Sequence, residues 1–139
     1  MTTRRLRPLL LVPVIALVLT ACQGSEVARS IQLTNQAREA AGLAVVIHNP
    51  TLQAKAQNWA NLLAAHGSLV HSNLAEDAGS GWRALGENLA KAGSIEEAQR
   101  LFMDSPAHRS TQLSSRYSQI GVGVASNGGT YYVVHVFGG

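Results

Sequence analysis

The sequence has little of what small exported domains often use to hold themselves together. It contains one cysteine, Cys22, among 139 residues, so no disulfide can form within the chain. Charged residues make up 14% of it and aromatic residues 5%. The sequence contains no basic patch interleaved with aromatic side chains, and this argues against a nucleic-acid-binding protein. A chain of this length forms one domain, and its core alone must stabilise it.

Several catalytic signatures are also missing. The sequence has no GxSxG nucleophile elbow, no HExxH zinc motif and no CxxC pair. The stretch "GVGVAS" lacks the third glycine of a dinucleotide fingerprint and falls in a predicted strand, which argues against nucleotide binding there. We interpret Gly121 and Gly123 within it as positions of close backbone approach or of a β-bulge.

A long apolar run occurs at the start of the chain. "PLLLVPVIALVL" follows Arg4, Arg5 and Arg7 and precedes small residues, an arrangement typical of a secretory signal. The run is shorter than the roughly 20 apolar residues of a membrane-spanning helix, and Pro13 interrupts it. We therefore predict an export signal over residues 1–21 and not a transmembrane anchor.

The signal ends in "LTAC", which resembles the bacterial lipobox, where the cysteine is acylated and becomes the first mature residue. This predicts a lipidated N-terminus and short tether over residues 22–28. Each buried methylene contributes about 0.8 kcal/mol, so several acyl chains on Cys22 hold the protein at a membrane. The alternative is an ordinary exported protein with an incidental cysteine. Gln23 is not the aspartate associated with inner-membrane retention, so in a two-membrane bacterium we expect the outer membrane, facing the periplasm.

The basic character of the chain belongs mostly to the signal. The whole sequence has 11 basic and 8 acidic side chains, a net charge of +3. Removal of the three signal arginines leaves eight of each sign. The mature protein is therefore close to neutral, and we expect a monomer whose partner is the membrane that holds its lipid and not a nucleic acid.

The best-marked helix follows "NP" at residues 49–50. Asn49 can cap it, Pro50 suits its first turn and Gly67 suits its end. Its apolar residues recur with a helical period and predict one buried face: Leu52, Ala56, Trp59 and Leu63.

Two further helices have clear signals. "EVARSIQLTNQAREAAG" has high helix propensity and a stop at Gly42. "SIEE" predicts a capping box between Ser94 and Glu97 that opens a helix through "AQRLFMD". The sequence Ser105–Pro106 ends it, because proline pushes the preceding residue out of helical geometry.

The rest of the chain is irregular or β-rich. Residues 68–86 have no steady period, and "ENLAKA" predicts a short strand. "YSQIGVGVAS" and "TYYVVHVFGG" are joined by "NGG", a strong hairpin signal. We therefore predict an α+β fold, a three-layer α/β/α sandwich with a small antiparallel sheet that ends in a C-terminal hairpin and is flanked by helices.

Histidines and a few carboxylates are the remaining candidates for a functional site. His71 and His108 both fall in irregular segments beside small residues, where side chains can converge, although their spacing proves no proximity. His108 follows the Ser-Pro break, so a turn or a new helix start presents it. We interpret the other histidines as structural. His48 is a linker residue, His66 is a cation at a helix end, and His135 is a partly buried strand residue.

Five pieces of the sequence, in order, resemble the CAP or SCP superfamily, which includes cysteine-rich secretory proteins, venom antigens, plant pathogenesis-related proteins and many bacterial relatives. They are "IQLTNQAREAAGLAVV", "NWANLLAAHGSLVHS", "GENLA", "SPAHR" with "IGVGVA", and "YYVVHVFGG". The resemblance spans roughly residues 29–138, so we assign a CAP domain to residues 29–139. It implies the family's α/β/α sandwich.

The resemblance also implies a cleft with two histidines and two acidic residues. By motif, His71 and His108 are the histidines and Glu87 of "GENLA" is the first acid. Ser105 stands where animal and plant members carry the second acid, and the adjacent Asp104 could substitute only from a shifted position. We therefore expect a ligand-binding cleft formed by these five residues, with an incomplete acidic half.

Two imidazoles and a carboxylate suit zinc or another divalent metal bound by His71 and His108 with Glu87. The same three side chains could instead form a purely hydrogen-bonded network. Ser72 beside His71 is a candidate nucleophile, but a loop serine that bonds locally is the simpler interpretation. No catalytic residue is assigned beyond these candidates.

Three functions remain open for such a domain. It could bind a lipid or another small ligand of the cell envelope, act as a metal-dependent hydrolase or protease, or serve as a structural or interaction domain. The lack of an activated nucleophile disfavours covalent hydrolysis but leaves metal-activated water open. The sequence therefore favours binding over catalysis.

Overall fold

The computed structural model describes residues 15–139, with side chains from Gln23 onward. The predicted signal thus lies in large part outside the described residues. The first helix, α1, runs without a break over Ile15–Ala40 and includes residues 22–28, the predicted tether. One glycine, Gly24, costs only about 1 kcal/mol in a helix interior and does not end it. Within residues 15–139, no helix has both the length and the apolarity required to cross a bilayer.

The described part of the chain contains four helices and four strands. The predicted irregular segment at 68–86 is confirmed up to Ala84. The second strand begins at Leu85, two residues before the predicted strand. The elements after α1, in chain order, are β1 (Ile47–His48), α2 (Pro50–His66), β2 (Leu85–Ala92), α3 (Ile95–Asp104), α4 (Pro106–Gln112), β3 (Gln119–Asn127) and β4 (Thr130–Gly138).

The strands form a four-stranded sheet in the order β1-β3-β4-β2. The predicted hairpin is confirmed: β3 and β4 pair antiparallel around Gly128 and Gly129, which both have positive φ as a tight turn requires. β2 pairs antiparallel with the other side of β4 and forms one edge of the sheet. The two-residue β1, which pairs parallel with β3, was not predicted.

Helices cover both faces of this sheet, which confirms the predicted α/β/α sandwich. Strand residues alternate between the faces, so each face has its own core. On one face α1 and α3 pack over a core centred on Phe102, Ile120, Val122, Val133 and Phe137. On the other face α2 packs over a core centred on Leu52, Ala56, Leu63, Val134 and Val136.

Close contact between α2 and β3 depends on two glycines. A Cβ atom added to Gly121 would collide with the backbone of Leu52, and one added to Gly123 would collide with the backbone of Ala56. The interpretation of these glycines as positions of close approach is therefore confirmed. The helix consequently lies directly on the strand.

Two glutamines of α2 protect the edge of β3. Beyond its short pairing with β1, the strand offers free N–H and C=O groups. The Gln53 side chain accepts from the N–H of Val122 at 2.9 Å and donates to its carbonyl, and Gln57 does the same for Val124. A covered edge cannot pair with another chain.

Arg38, which is buried, ties the end of α1 to the loop before β3. Its guanidinium donates to the carbonyls of Gln112 and Ser114 at 2.9 Å each, and to those of Ala44 and Tyr117. Burial lowers the pKa of Arg38 from its ordinary value. The fork of five donors suits this task because it satisfies several carbonyls at once.

Candidate functional site

The candidate site lies across the edge strand β2. Glu87 and Asn88 are neighbours on this strand and point to opposite faces of the sheet. Glu87 lies on the α2 face, where the loop after α2 approaches it. Asn88 lies on the face of α3 and α4, where it contacts the segment that carries His108. One strand thus joins the two halves of the predicted site.

Glu87 is the buried centre of the first half, with a side chain only 1% exposed. Its Oε1 atom lies 2.7 Å from Nδ1 of His71 and accepts from the backbone N–H of Ser72 at 2.9 Å. Its Oε2 atom accepts from the hydroxyl of Ser72 at 2.6 Å. Such short bonds are typical of an ionised carboxylate that accepts from several donors.

The loop that carries His71 and Ser72 is held in place from α2. The indole of Trp59 donates to the carbonyl of Val70 at 2.8 Å, directly before His71. The buried ammonium group of Lys55 donates to the carbonyls of Asn73 and Glu76. These bonds fix the loop on both sides of His71, whose own side chain is 63% exposed. An exposed imidazole on a fixed loop is available to a ligand.

The second half of the site starts at the Ser-Pro break. Ser105 caps α4 through its hydroxyl, and Pro106 is the first helical residue, so the expected new helix start is confirmed. The side-chain amide of Asn88 donates to the carbonyl of His108 at 2.9 Å. The His108 ring lies edge-on to Phe102, with centroids 5.6 Å apart. His108 is thereby half-buried beside β2.

The two histidines are close enough to affect one another electrostatically. Burial lowers the pKa of His108 below its usual value of 6.5, and the charge of His71 lowers it further. Glu87 contacts the His71 ring, and the adjacent Asn88 contacts the backbone of His108, so the two histidines lie on either side of β2.

Asp104 and Ser105 take other positions. The Asp104 carboxylate pairs with Arg100 one turn earlier on α3, at 3.2 Å, and is strongly exposed. The Ser105 hydroxyl is occupied as the cap of α4. Neither side chain is seen to replace the second acid of the cleft, so their role in ligand binding stays a prediction.

The donor set does not form a closed metal site. Both oxygens of Glu87 are engaged by His71 and Ser72, so Glu87 orients the imidazole as a carboxylate does behind a metal-bound histidine. Within the described residues no group of three or more His, Cys, Asp or Glu side chains has the geometry to hold a metal ion. Two imidazoles alone leave any divalent metal largely open to water or ligand.

Ser72 is not arranged as a nucleophile. An activated serine donates its proton to a histidine, which in turn donates to a carboxylate. Here the hydroxyl of Ser72 and Nδ1 of His71 both point at Glu87. The expected bond of this serine to the backbone is not observed: its hydroxyl donates to the Glu87 side chain and so holds the loop against β2.

A buried histidine lies behind the site and was predicted only as partly buried. His135 on β4 is fully buried, and its Nε2 atom bonds the hydroxyl of Ser30 at 2.7 Å. The Phe102 ring contacts His135, with centroids 4.7 Å apart, and also contacts the ring of His108. Burial lowers the pKa of His135 from 6.5 to about 3. The alternation along β4 indicated its face but not the cover that α1 provides.

These features define an α/β/α domain in which a histidine and a buried glutamate are in contact at a sheet edge. A model of the cysteine-rich secretory protein family, CAP, matches residues 31–137. The chain therefore belongs to this family. No relative is found among curated proteins.

Solved structures share the fold at low sequence identity. An outer surface protein of Borrelia burgdorferi is 16% identical with a TM-score of 0.76, over 82% of this chain and 92% of that one. An extracellular protein with an SCP domain from Bacillus anthracis is 18% identical with a TM-score of 0.78, over 91% and 44%. The venom allergen-like protein 4 of Schistosoma mansoni is 14% identical with a TM-score of 0.67, over 80% and 86%.

Proposed function

We propose that this protein is a lipid-anchored CAP domain outside the cytoplasm that binds a small ligand of the cell envelope in the cleft of His71, Glu87 and His108. The observation that carries the proposal is the buried carboxylate of Glu87, which fixes the exposed imidazole of His71 at 2.7 Å. A fixed, exposed donor next to a second histidine is suited to recognition.

The hydrogen bonds of the site favour binding over catalysis. Ser72 and His71 both donate toward Glu87, so the site holds no activated nucleophile. A divalent metal such as zinc would be held by His71 and His108, with Glu87 behind His71 as the group that sets its orientation. Such a metal would supply a cation to which an anionic or carbonyl group of the ligand binds.

The anchor rests on the sequence. The lipobox-like "LTAC" makes Cys22 the acylated first residue of the mature protein, and the membrane is then its partner. The described residues contain no helix that could span a bilayer, which is consistent with a lipid as the attachment. Relatives of similar fold are named as outer surface and extracellular proteins, which supports a location beyond the cytoplasm.

Zinc titration tests whether the cleft is one site. For the domain from Gln23 onward, we expect zinc affinity to fall at least about tenfold in His71→Ala and in His108→Ala, because each removes one of two ligands. Glu87→Gln should weaken binding about 10–100-fold, since it orients the ligand instead of contacting the metal. Isothermal titration calorimetry measures all three.

His66→Ala is the matched control, because His66 is an exposed histidine at the end of α2. Its zinc affinity should equal that of the wild type. Equal affinity in the wild type and in a His71→Ala/His108→Ala variant would contradict the shared site. Turnover of a peptide or ester that depends on His71 would replace binding by hydrolysis as the proposed activity.

A further inference from the structure

Three large apolar side chains are exposed together near the end of α2. Leu62, Leu69 and Val70 are 48%, 43% and 60% exposed. Leu62 and Val70 line a groove of about 280 Å³ together with Trp59 and Leu63. Trp59 holds this region in place through its bond to the carbonyl of Val70. The patch formed by Leu62, Leu69 and Val70 is thus a built surface and not a loose loop.

The same end of the molecule carries the start of the mature chain. Gln23, the residue after Cys22, lies in a groove with Asn61 and Ala65 of α2 and with Asn127 at the hairpin tip. The side chain of Asn127 donates to the carbonyl of Ala64 at 2.8 Å, so the end of α2 is fixed to the hairpin tip. The acylation point and the apolar patch therefore flank the last two turns of α2.

A basic residue borders the patch, above a buried tyrosine. The ammonium group of Lys91 lies 3.4 Å from the carbonyl of Gly67, which ends α2, and 5.5 Å from the ring centroid of Tyr132. Gly67 itself lies against the Tyr132 hydroxyl. Apolar side chains bordered by a lysine are typical of surfaces that lie in the headgroup region of a membrane.

We propose that this end of the domain lies on the bilayer that holds the acylated Cys22, with Leu62, Leu69 and Val70 inserted at the level of the headgroups. The inference rests on the proposed acylation and goes beyond it, because acyl chains alone do not determine which face of the domain meets the membrane. A second contact beside the anchor acts at high effective concentration, so a weak patch suffices. His71 follows Val70 directly, which brings the cleft close to the lipid surface.

The other exposed apolar pair does not compete for this role. Val45 and Ile47 lie at β1, which pairs with the Gln119 end of β3. That end is the one at which Gly138 finishes β4, away from the hairpin tip. The six residue steps from Tyr132 to Gly138 correspond to about 20 Å of strand. The pair is therefore distant from Gln23 and from the anchor.

The two tryptophans allow a direct test. Trp59 lines the apolar groove, whereas Trp82 packs against Gly138 at the opposite end of the sheet. The full-length acylated protein is reconstituted into phosphatidylglycerol–phosphatidylcholine vesicles that contain brominated phosphatidylcholine, a quencher of indole fluorescence. In Trp82→Phe, the emission of Trp59 should fall by about half, because the patch is within 5–10 Å of the acyl boundary. In Trp59→Phe, the emission of Trp82 should be unchanged.

Variants separate the orientation from the anchor. Leu62→Ser/Val70→Ser should stay with the vesicles through Cys22 yet lose the quenching of Trp59. A protein that sediments with the vesicles but shows no quenching of Trp59, or equal quenching of both tryptophans, would overturn the orientation and leave the anchor standing. A protein that does not sediment would overturn the acylation of Cys22 and the orientation with it.

Discussion

Gly123→Val is expected to destabilise the domain by at least about 3 kcal/mol, or to prevent folding, because it forces atoms into a contact that has no free space. The added side chain would collide with the carbonyl of Ala56, which belongs to the backbone of α2 and cannot turn away. The helix would have to lift from β3, and Gln57 would then lose its bonds to Val124. Urea denaturation followed by circular dichroism measures the loss.

Gly24→Ala is the matched control for this experiment. A Cβ atom at Gly24 meets nothing within 4 Å, and alanine is the better helix former. Its free energy of unfolding should therefore not decrease. A Gly123→Val variant that unfolds within about 1 kcal/mol of the wild type would contradict the direct packing of α2 on β3.

The second large effect is a loss of stability in acid that originates at His135. The unfolded chain takes up a proton at this residue near pH 6.5, whereas the folded chain does so only near pH 3, because the ring is fully buried. The folded state therefore has its full stability above pH 6.5. Below it, the free energy of unfolding should fall by about 1.4 kcal/mol for each pH unit down to pH 3.

His135→Gln removes this titration and keeps a side chain that can bond Ser30. The difference in free energy of unfolding between wild type and variant, measured in urea from pH 7 to pH 4, isolates the proton taken up at His135. His108 also has a lowered pKa and contributes in both proteins. Identical pH profiles for the two proteins would show that His135 is protonated in the folded state or exposed to water.

Elements with local signals could be predicted from the sequence. Asn49, Pro50 and Gly67 bound α2 as expected, because capping and helix termination depend on nearby residues. The capping box is confirmed in part: the Ser94 hydroxyl accepts from the N–H of Glu97, whereas the carboxylate of Glu97 accepts from Gly93.

Elements without a local period could not be predicted. β1 has two residues and exists because β3 offers it a partner. α4 has seven residues, too few for an apolar period, and only its start at Pro106 was recognisable. The burial of Arg38 could not be predicted from its helix, because its carbonyl partners come from segments far along the chain.

Only part of the candidate site could be predicted from the sequence. Residue type and motif order pointed to His71, Glu87 and His108, but the contact between His71 and Glu87 spans 16 positions and depends on how the loop folds over β2. Asp104 was a candidate by proximity in sequence, yet the turn of α3 directs it toward Arg100. Asn88 was overlooked although strand alternation places it on the opposite face from Glu87.

The central claim is that His71 and His108 share one cleft across β2, and the pKa of His108 reports on it most directly. Nuclear magnetic resonance titration of the histidine ring protons gives this pKa in the wild type, in His71→Ala and in the control His66→Ala. We predict that His71→Ala raises the pKa of His108, because a neighbouring positive charge is removed, while burial still keeps it below 6.5. His66→Ala should leave it unchanged. A His108 pKa that is the same with and without His71 would contradict the shared cleft.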